Sequence, residues 1–204
     1  NELTYTLGLS IIEPGTPVVL PTPMFSLYEK VVDLHDGDVI SVGPLEDFRF
    51  DTEGLVAAVR EHNPPLTVLT TPNNPTGRAM SIEEIERVAE AAGDGFVVVD
   101  EAYIEFVDGP SAQTLIEAYP NILVMRTLSK GFGLAGLRVG YLLGAPEIVR
   151  EFYKARIPFM VDPMAEQAAC AILEEEEILA ERIEQLIEAR EHLSSELSEL
   201  PNVE

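Results

Sequence analysis

Residues 66–100 of the chain read LTVLTTPNNPTGRAMSIEEIERVAEAAGDGFVVVD. Two short apolar runs, Leu66–Thr70 and Phe96–Val99, enclose a segment with the apolar spacing of an amphipathic helix. This helix begins with the capping box SIEE at residues 81–84, in which the serine accepts from a first-turn amide and the glutamate reaches back. The stretch therefore predicts a strand, a helix and a second strand, the unit from which parallel sheets are built.

The same alternation continues on both sides of this stretch. Further strand-like runs are Pro17–Leu20, Val39–Val42, Ile122–Thr127 and Val139–Gly144, and a second helix begins at Asp51 or Thr52 and continues through Arg60. Strands that are apolar along their whole length are typical of a sheet covered on both faces. The sequence predicts an α/β fold: a mainly parallel sheet with helices on both faces, in three αβα layers.

The C-terminal stretch has a different pattern. From about residue 163 to 200 it is rich in Glu, Leu, Ile and Ala, which predicts one long helix leading away from the sheet. Residues 200–204 then read as the start of another element, and Asn1 is not a natural first residue. We expect residues 1–204 to form one domain that is truncated at both ends.

Composition excludes several classes of function. The chain has 13 basic and 36 acidic residues and a net charge of −23, so it should repel nucleic acid and anionic membranes. No apolar run approaches the roughly 20 residues of a membrane span. Cys170 is the only cysteine, and it lies in an apolar helical stretch, which predicts a buried, inert thiol. A single cysteine cannot form an internal disulfide, which fits a cytoplasmic protein. We expect no metal site.

Several candidate functional residues follow predicted strands, where ligands bind in open α/β sheets. Asn74 lies in the turn TPNNPTG at residues 71–77. The two prolines and the glycine restrict this turn, so the side-chain amide of Asn74 could donate a hydrogen bond in a fixed direction. The alternative is a turn without a function, which is what an isolated Asn-Pro usually is. Asp100 ends a strand, and Tyr103 follows three residues later; the pair could bind a ligand cation or be a solvated strand end. Phe25 follows the first strand, where it could stack on a flat ring or belong to the core.

The segment RTLSKGFGLAGLRVG at residues 126–140 is the most informative. Lys130 is one of only three lysines, and Thr127, Ser129, Arg138 and several glycines surround it, as an anionic phosphate requires. Residues 131–136 also match G-x-G-x-x-G, the dinucleotide fingerprint. That fingerprint needs a long helix directly after it, whereas here a strand follows at once, which excludes a nicotinamide or flavin site.

Taken in order, these segments resemble the fold-type I aminotransferases, and within them the histidinol-phosphate subfamily. The resemblance rests on NNPTG, on DEAYIEF at residues 100–106 and on RTLSKGFGLAGLR at residues 126–138, and it covers essentially the whole chain. It implies the large domain of a pyridoxal-phosphate-dependent transferase that acts on histidinol phosphate, with 2-oxoglutarate as acceptor, in histidine biosynthesis.

The resemblance also implies residue roles. Lys130 would hold pyridoxal 5′-phosphate covalently and carry the proton at the substrate Cα, and Asp100 would pair with the pyridine nitrogen. Tyr103 and Asn74 would bind the phenolic oxygen of the ring, and Phe25 would stack on its face. Ser129 and Arg138 would hold the phosphate, with help from Thr127.

Other implications concern the rest of the protein. Family members also have a C-terminal small domain, an N-terminal segment that helps to bind the cofactor phosphate, and a tyrosine that the partner subunit of a homodimer contributes. The chain lacks these parts, so we expect it to be inactive by itself. The substrate would be a small amino acid or amino-alcohol phosphate. Alternatives within the fold are an aromatic or aspartate aminotransferase or a threonine-phosphate decarboxylase. An alternative of another class is a non-catalytic regulatory domain.

Overall fold

The structure is a computed structural model that describes residues 1–200. The chain divides into two compact units. The first, here called the sheet unit, comprises Asn1–Ile104, Gly109–Thr127 and Gly140–Met160. The second, here called the lysine-loop unit, comprises Glu105–Asp108, Leu128–Val139 and the described residues from Val161 onward. The expectation that residues 1–204 form one cofactor-binding domain stays a prediction.

A single six-stranded sheet organises the sheet unit, in the order β2-β1-β3-β4-β5-β6. The first five strands are parallel and β6 is antiparallel to β5. The predicted mainly parallel sheet is confirmed, and each predicted strand lies within one residue of its observed bounds. The strands are β1 (Pro17–Pro21), β2 (Asp38–Val42), β3 (Leu66–Thr70), β4 (Phe96–Asp100), β5 (Ile122–Thr127) and β6 (Gly140–Leu143).

Helices cover both faces of this sheet, as the three-layer prediction required. They are α1 (Glu2–Ile11), α2 (Leu27–Leu34), α3 (Thr52–His62), α4 (Ile82–Ala92) and α5 (Pro146–Lys154). Helices α3 and α4 pack on one face, and α1, α2 and α5 on the other. Successive side chains of β4 point to opposite faces of the sheet. Val97 and Val99 pack with α3 and α4, Val98 packs with α1, α2 and α5, and all three side chains are fully buried.

The predicted helix starts are confirmed in atomic detail. At α4 the Glu84 amide donates to Ser81 Oγ at 3.2 Å, and the Ser81 amide donates to Glu84 Oε2 at 2.8 Å, which completes the capping box. At α3 the Gly54 amide donates to the side chain of Asp51 at 2.9 Å. The dinucleotide alternative is excluded as expected, because only a short 3₁₀ helix, Ala135–Leu137, separates its glycines from β6.

The lysine-loop unit contains two helices where the sequence predicts one, α6 (Pro163–Leu173) and α7 (Glu176–Ser198). The break falls within residues 174–177, a run of four glutamates in the sequence. The sequence predicts a further element at residues 200–204. Residues 201–204 of this element lie outside the described residues. Among described helices, none is long and apolar enough to span a membrane.

The prediction that Cys170 is buried is wrong, because its side chain is exposed. Helix α6 buries only Ala165 and Ala169, which are four residues apart and share one face. Cys170 follows Ala169 directly and is therefore rotated by about 100° from that face. The apolar composition of the stretch concealed how narrow its buried stripe is.

Candidate functional site

The residues predicted from the sheet unit lie at one edge of the sheet. Asp100 ends β4 and Thr127 ends β5, and Thr70, the last residue of β3, pairs in register with Asp100. Asn74 and Tyr103 belong to the turns that follow β3 and β4, and Phe25 follows β1. Because these four strands are parallel, their carboxyl ends meet at the same edge, which is where ligands bind in such folds.

Asp100 is half-buried and is held on both carboxylate oxygens. The Tyr28 hydroxyl donates to Oδ2 at 2.5 Å, and the Ala102 amide donates to Oδ1 at 3.0 Å. Loss of hydration raises the pKa of Asp100, while these two hydrogen bonds act in the opposite direction. The arrangement keeps a carboxylate at the strand end, ready for a cationic ligand group. No local sequence pattern points to Tyr28, because it lies 72 positions away from Asp100 in the chain.

The turn after β3 is built on Asn73 rather than on its neighbour Asn74. Asn73 is 6% exposed and accepts from Thr70 Oγ1 at 2.6 Å. Its amide nitrogen donates to the Pro23 carbonyl and to Thr76 Oγ1, each at 2.9 Å. These bonds fix the turn from three sides and join it to the loop that precedes Phe25. Asn74 is exposed, and so is Phe25, at 42% of its surface.

A second buried carboxylate, Glu101, supports the same edge. It is 2% exposed, and its Oε2 accepts from Arg126 Nε at 3.0 Å and from Ser111 Oγ at 2.7 Å. Arg126 Nη2 lies 2.9 Å from the same oxygen, and Oε1 accepts from the Ala112 amide at 2.7 Å. The ion pair joins the end of β4 to the end of β5. Glu101 and Arg126 lie inside the motifs DEAYIEF and RTLSKGFGLAGLR, but no role was predicted for either residue.

The remaining predicted residues lie in the lysine-loop unit, in the loop Leu128–Val139. The structure brings Arg138 and Ser129 together: Arg138 Nη1 donates to Ser129 Oγ at 3.4 Å and to the Ala135 carbonyl at 2.9 Å. The Leu128 amide donates to the Val139 carbonyl at 3.0 Å, which closes the loop at its base. Lys130 follows Ser129, so an amine, a hydroxyl and a guanidinium belong to one closed loop.

Two glycines make this loop possible. Gly133 has a φ of +66°, and its amide donates to the Lys130 carbonyl at 2.8 Å. A Cβ at Gly133 would meet the Arg182 guanidinium at 2.6 Å, and one at Gly131 would meet Glu105 Cβ and Cγ at 2.9 Å. The left-handed φ favours glycine at position 133, and the close approach of Glu105 favours it at position 131.

Taken separately, the groups of each unit match parts of a phosphorylated aldehyde with a basic ring nitrogen. The half-buried carboxylate of Asp100 matches a ring cation, the Arg138 and Ser129 pair matches a phosphate, and the Lys130 amine matches an aldehyde. Among the described residues, no group of three or more His, Cys, Asp or Glu side chains could hold a metal ion.

The chain belongs to the family of class I and II aminotransferases, whose model matches residues 1–204. Histidinol-phosphate aminotransferase of Chlorobaculum tepidum is 39% identical over 203 residues, which are 100% of this chain and 58% of the relative. The chain thus spans little more than half the length of that relative.

Solved structures give the same assignment of fold. The crystal structure of histidinol-phosphate aminotransferase from Sinorhizobium meliloti in complex with pyridoxal-5′-phosphate matches with a TM-score of 0.90 and 32% identity, covering 96% of this chain and 54% of that one. An aspartate aminotransferase mutant of Thermus thermophilus matches with a TM-score of 0.84 and 27% identity, covering 94% and 54%. The expected resemblance to fold-type I aminotransferases is confirmed.

Proposed function

We propose that the full-length protein containing this chain is a pyridoxal-phosphate-dependent aminotransferase that takes histidinol phosphate as amino donor and 2-oxoglutarate as acceptor. The observation that carries the proposal is the half-buried Asp100 carboxylate at the end of β4 in a chain of this family. The names of the relatives support the substrate, and the cofactor in the Sinorhizobium meliloti complex supports pyridoxal phosphate.

Each predicted site residue has a role in holding this cofactor. Arg138 and Ser129 bind the phosphate, Asp100 binds the protonated ring nitrogen, and Phe25 packs on the ring face. Asn74 and Tyr103 donate to the phenolic oxygen, and Thr127 assists at the phosphate. When bound, pyridoxal phosphate supplies the electron-withdrawing ring that makes the substrate Cα–H acidic.

The protein supplies proton control and orientation. The Lys130 amine holds the cofactor between turnovers and then accepts and returns the proton at the substrate Cα. Asp100 keeps the proton on the ring nitrogen because its fixed negative charge faces it in a poorly hydrated site. The Asn73 network fixes the turn that presents Asn74, and the Glu101–Arg126 pair fixes the strand ends that present Asp100 and Thr127.

Replacing Asp100 by Asn tests this account, because the substitution keeps the shape and removes the charge. We expect the turnover number of the full-length enzyme to fall by at least about two orders of magnitude, the usual cost of removing an electrostatic group that acts at the transition state. The exposed Asp94, changed to Asn in parallel, is the matched control and should leave turnover unchanged. An Asp100→Asn enzyme that retains half of the wild-type turnover would contradict the role.

Substrate choice is tested by comparing kcat/KM for histidinol phosphate, aspartate and phenylalanine. We expect a clear preference for histidinol phosphate. The similarity to the Thermus thermophilus aspartate aminotransferase makes aspartate the second candidate donor. A preference for aspartate or phenylalanine would move the protein to the corresponding branch of the family, and carbon dioxide release from threonine phosphate would make it a decarboxylase. Cofactor binding without turnover of any of these would favour the non-catalytic regulatory role.

We also propose a cytoplasmic homodimer that uses neither nucleic acid nor membrane as a partner. The charge of −23 disfavours both anionic partners. Tyr5 and Leu9 of α1 expose 43% and 66% of their surfaces, an apolar stripe that a second subunit would cover. Light scattering of the full-length protein should give twice the monomer mass. A monomer at micromolar concentration would contradict this part of the proposal.

A further inference from the structure

Tyr28 is buried against the sheet and contacts Asp100, a residue of the proposed cofactor site. It belongs to α2, is 4% exposed and packs within the cluster that also contains Val98 and Met125. Its hydroxyl donates to Asp100 Oδ2 at 2.5 Å and lies 4.0 Å from Met125 Sδ. The phenol therefore has one strong acceptor, the carboxylate.

The contact divides the Asp100 carboxylate between two fixed donors. Tyr28 occupies Oδ2 from α2, and the Ala102 amide occupies Oδ1 from the turn after β4. The carboxylate cannot rotate about its Cβ–Cγ bond without losing both hydrogen bonds. A hydrogen bond from a neutral phenol to a carboxylate also favours the ionised form of the acid over the neutral one.

The electrostatic balance at Asp100 gives this contact its importance. Burial raises the pKa of Asp100 and the Tyr28 hydrogen bond is the largest effect that lowers it. Burial and the neighbouring carboxylate raise the pKa of Tyr28 well above its usual value, so the phenol remains a donor throughout the physiological range. The neighbouring Glu101 carboxylate also raises the pKa of Asp100.

We propose that Tyr28 is a positioning residue that keeps the Asp100 carboxylate ionised and fixed in orientation for the protonated ring nitrogen of pyridoxal phosphate. The inference rests on the proposed function, since it assigns Tyr28 a role only through Asp100. Tyr28 acts through its hydrogen bond to the carboxylate, which sets how strongly Asp100 holds the ring proton.

The test replaces Tyr28 by Phe in the full-length protein and measures the bound cofactor directly. With cofactor labelled at the ring nitrogen, the ¹⁵N resonance reports protonation without any turnover. Removing the donor makes Asp100 a stronger base, so the resonance should move part of the way toward the unprotonated value. Cofactor affinity should fall about tenfold, the lower range for a hydrogen bond to a charged group. Asp100→Asn should move the resonance further in the same direction.

A double-mutant cycle separates positioning from general structural damage. In the Asp100→Asn background, Tyr28→Phe should change cofactor affinity by less than about twofold, because the effect passes through the carboxylate. Tyr119→Phe is the matched control: it removes a phenol that donates to Glu86 at 2.8 Å and to Glu90 at 3.1 Å, outside the site. It should leave the resonance and the affinity unchanged.

A fluorinated tyrosine in place of Tyr28 keeps the proposal testable if Tyr28→Phe fails to fold. A more acidic phenol is a stronger donor, so it should move the ring-nitrogen resonance toward the protonated value, opposite to Tyr28→Phe. An unchanged resonance in both Tyr28→Phe and the fluorinated variant overturns the role of Tyr28. So does a Tyr28→Phe effect on cofactor affinity that is as large in the Asp100→Asn background as in the wild type. An unchanged resonance in Asp100→Asn itself would instead refute the proposed function, and the role of Tyr28 with it.

Discussion

Replacing Glu101 by Gln removes the charge from the buried ion pair that joins β4 to β5. The glutamate is 2% exposed and Arg126 is 18% exposed at its side chain, so water screens the pair poorly. A glutamine cannot replace the carboxylate in this position. Whichever way its amide is turned, the nitrogen faces a donor, either the Ala112 amide or the Arg126 guanidinium.

The magnitude follows from these contacts. Removing one partner of a buried pair costs about 3–5 kcal/mol, and we take the lower end, about 3 kcal/mol, because Arg126 keeps some access to water. For a chain of this size that corresponds to a decrease in Tm of roughly 6–12 °C. The loss should appear as a lower denaturant midpoint with an unchanged slope, since the exposed area on unfolding does not change.

The matched control is Glu53→Gln, which removes the charge from an exposed pair. Glu53 accepts from Arg87 at 2.6 Å, but the two side chains are 78% and 47% exposed, so the pair contributes at most about 1 kcal/mol. Chemical denaturation followed by circular dichroism measures both variants. Equal effects of the two substitutions would refute the claim that burial makes the Glu101 pair structurally important.

Two further predictions concern the lysine loop. Gly133→Ala should lower the Tm by a few degrees, because a left-handed φ costs a residue with a Cβ about 1 kcal/mol and the new Cβ would contact Arg182. Differential scanning calorimetry measures the shift, and an unchanged Tm would contradict the prediction. Arg138→Lys should weaken pyridoxal phosphate binding about tenfold, because it removes the planar guanidinium that can bind two phosphate oxygens at once. Arg60→Lys is the control and should leave the affinity unchanged. Equilibrium dialysis measures the affinity of both variants.

The positions of the strands along the chain could be predicted from local patterns. The apolar runs and the capping box at Ser81 depend on neighbouring residues, which is why their bounds agree with the structure within one residue. The exclusion of a dinucleotide helix after Gly136 had the same local basis, since a strand follows too soon.

The supporting contacts could not be predicted, because they join residues distant in the chain. Tyr28 and Asp100 meet only once α2 packs on the sheet, and Glu101 and Arg126 meet only when β4 and β5 pair. Burial at Cys170 was misjudged for a related reason: composition shows that a helix is apolar but not which of its faces packs.

The most direct test of the central claim is the site of covalent cofactor attachment. The full-length protein is incubated with pyridoxal phosphate, reduced with borohydride, digested and mapped by mass spectrometry. The account predicts a pyridoxyl group on Lys130, and none after Lys130→Ala, while some cofactor stays bound through its phosphate. A pyridoxyl group on Lys30 or Lys154 in place of Lys130 would contradict it.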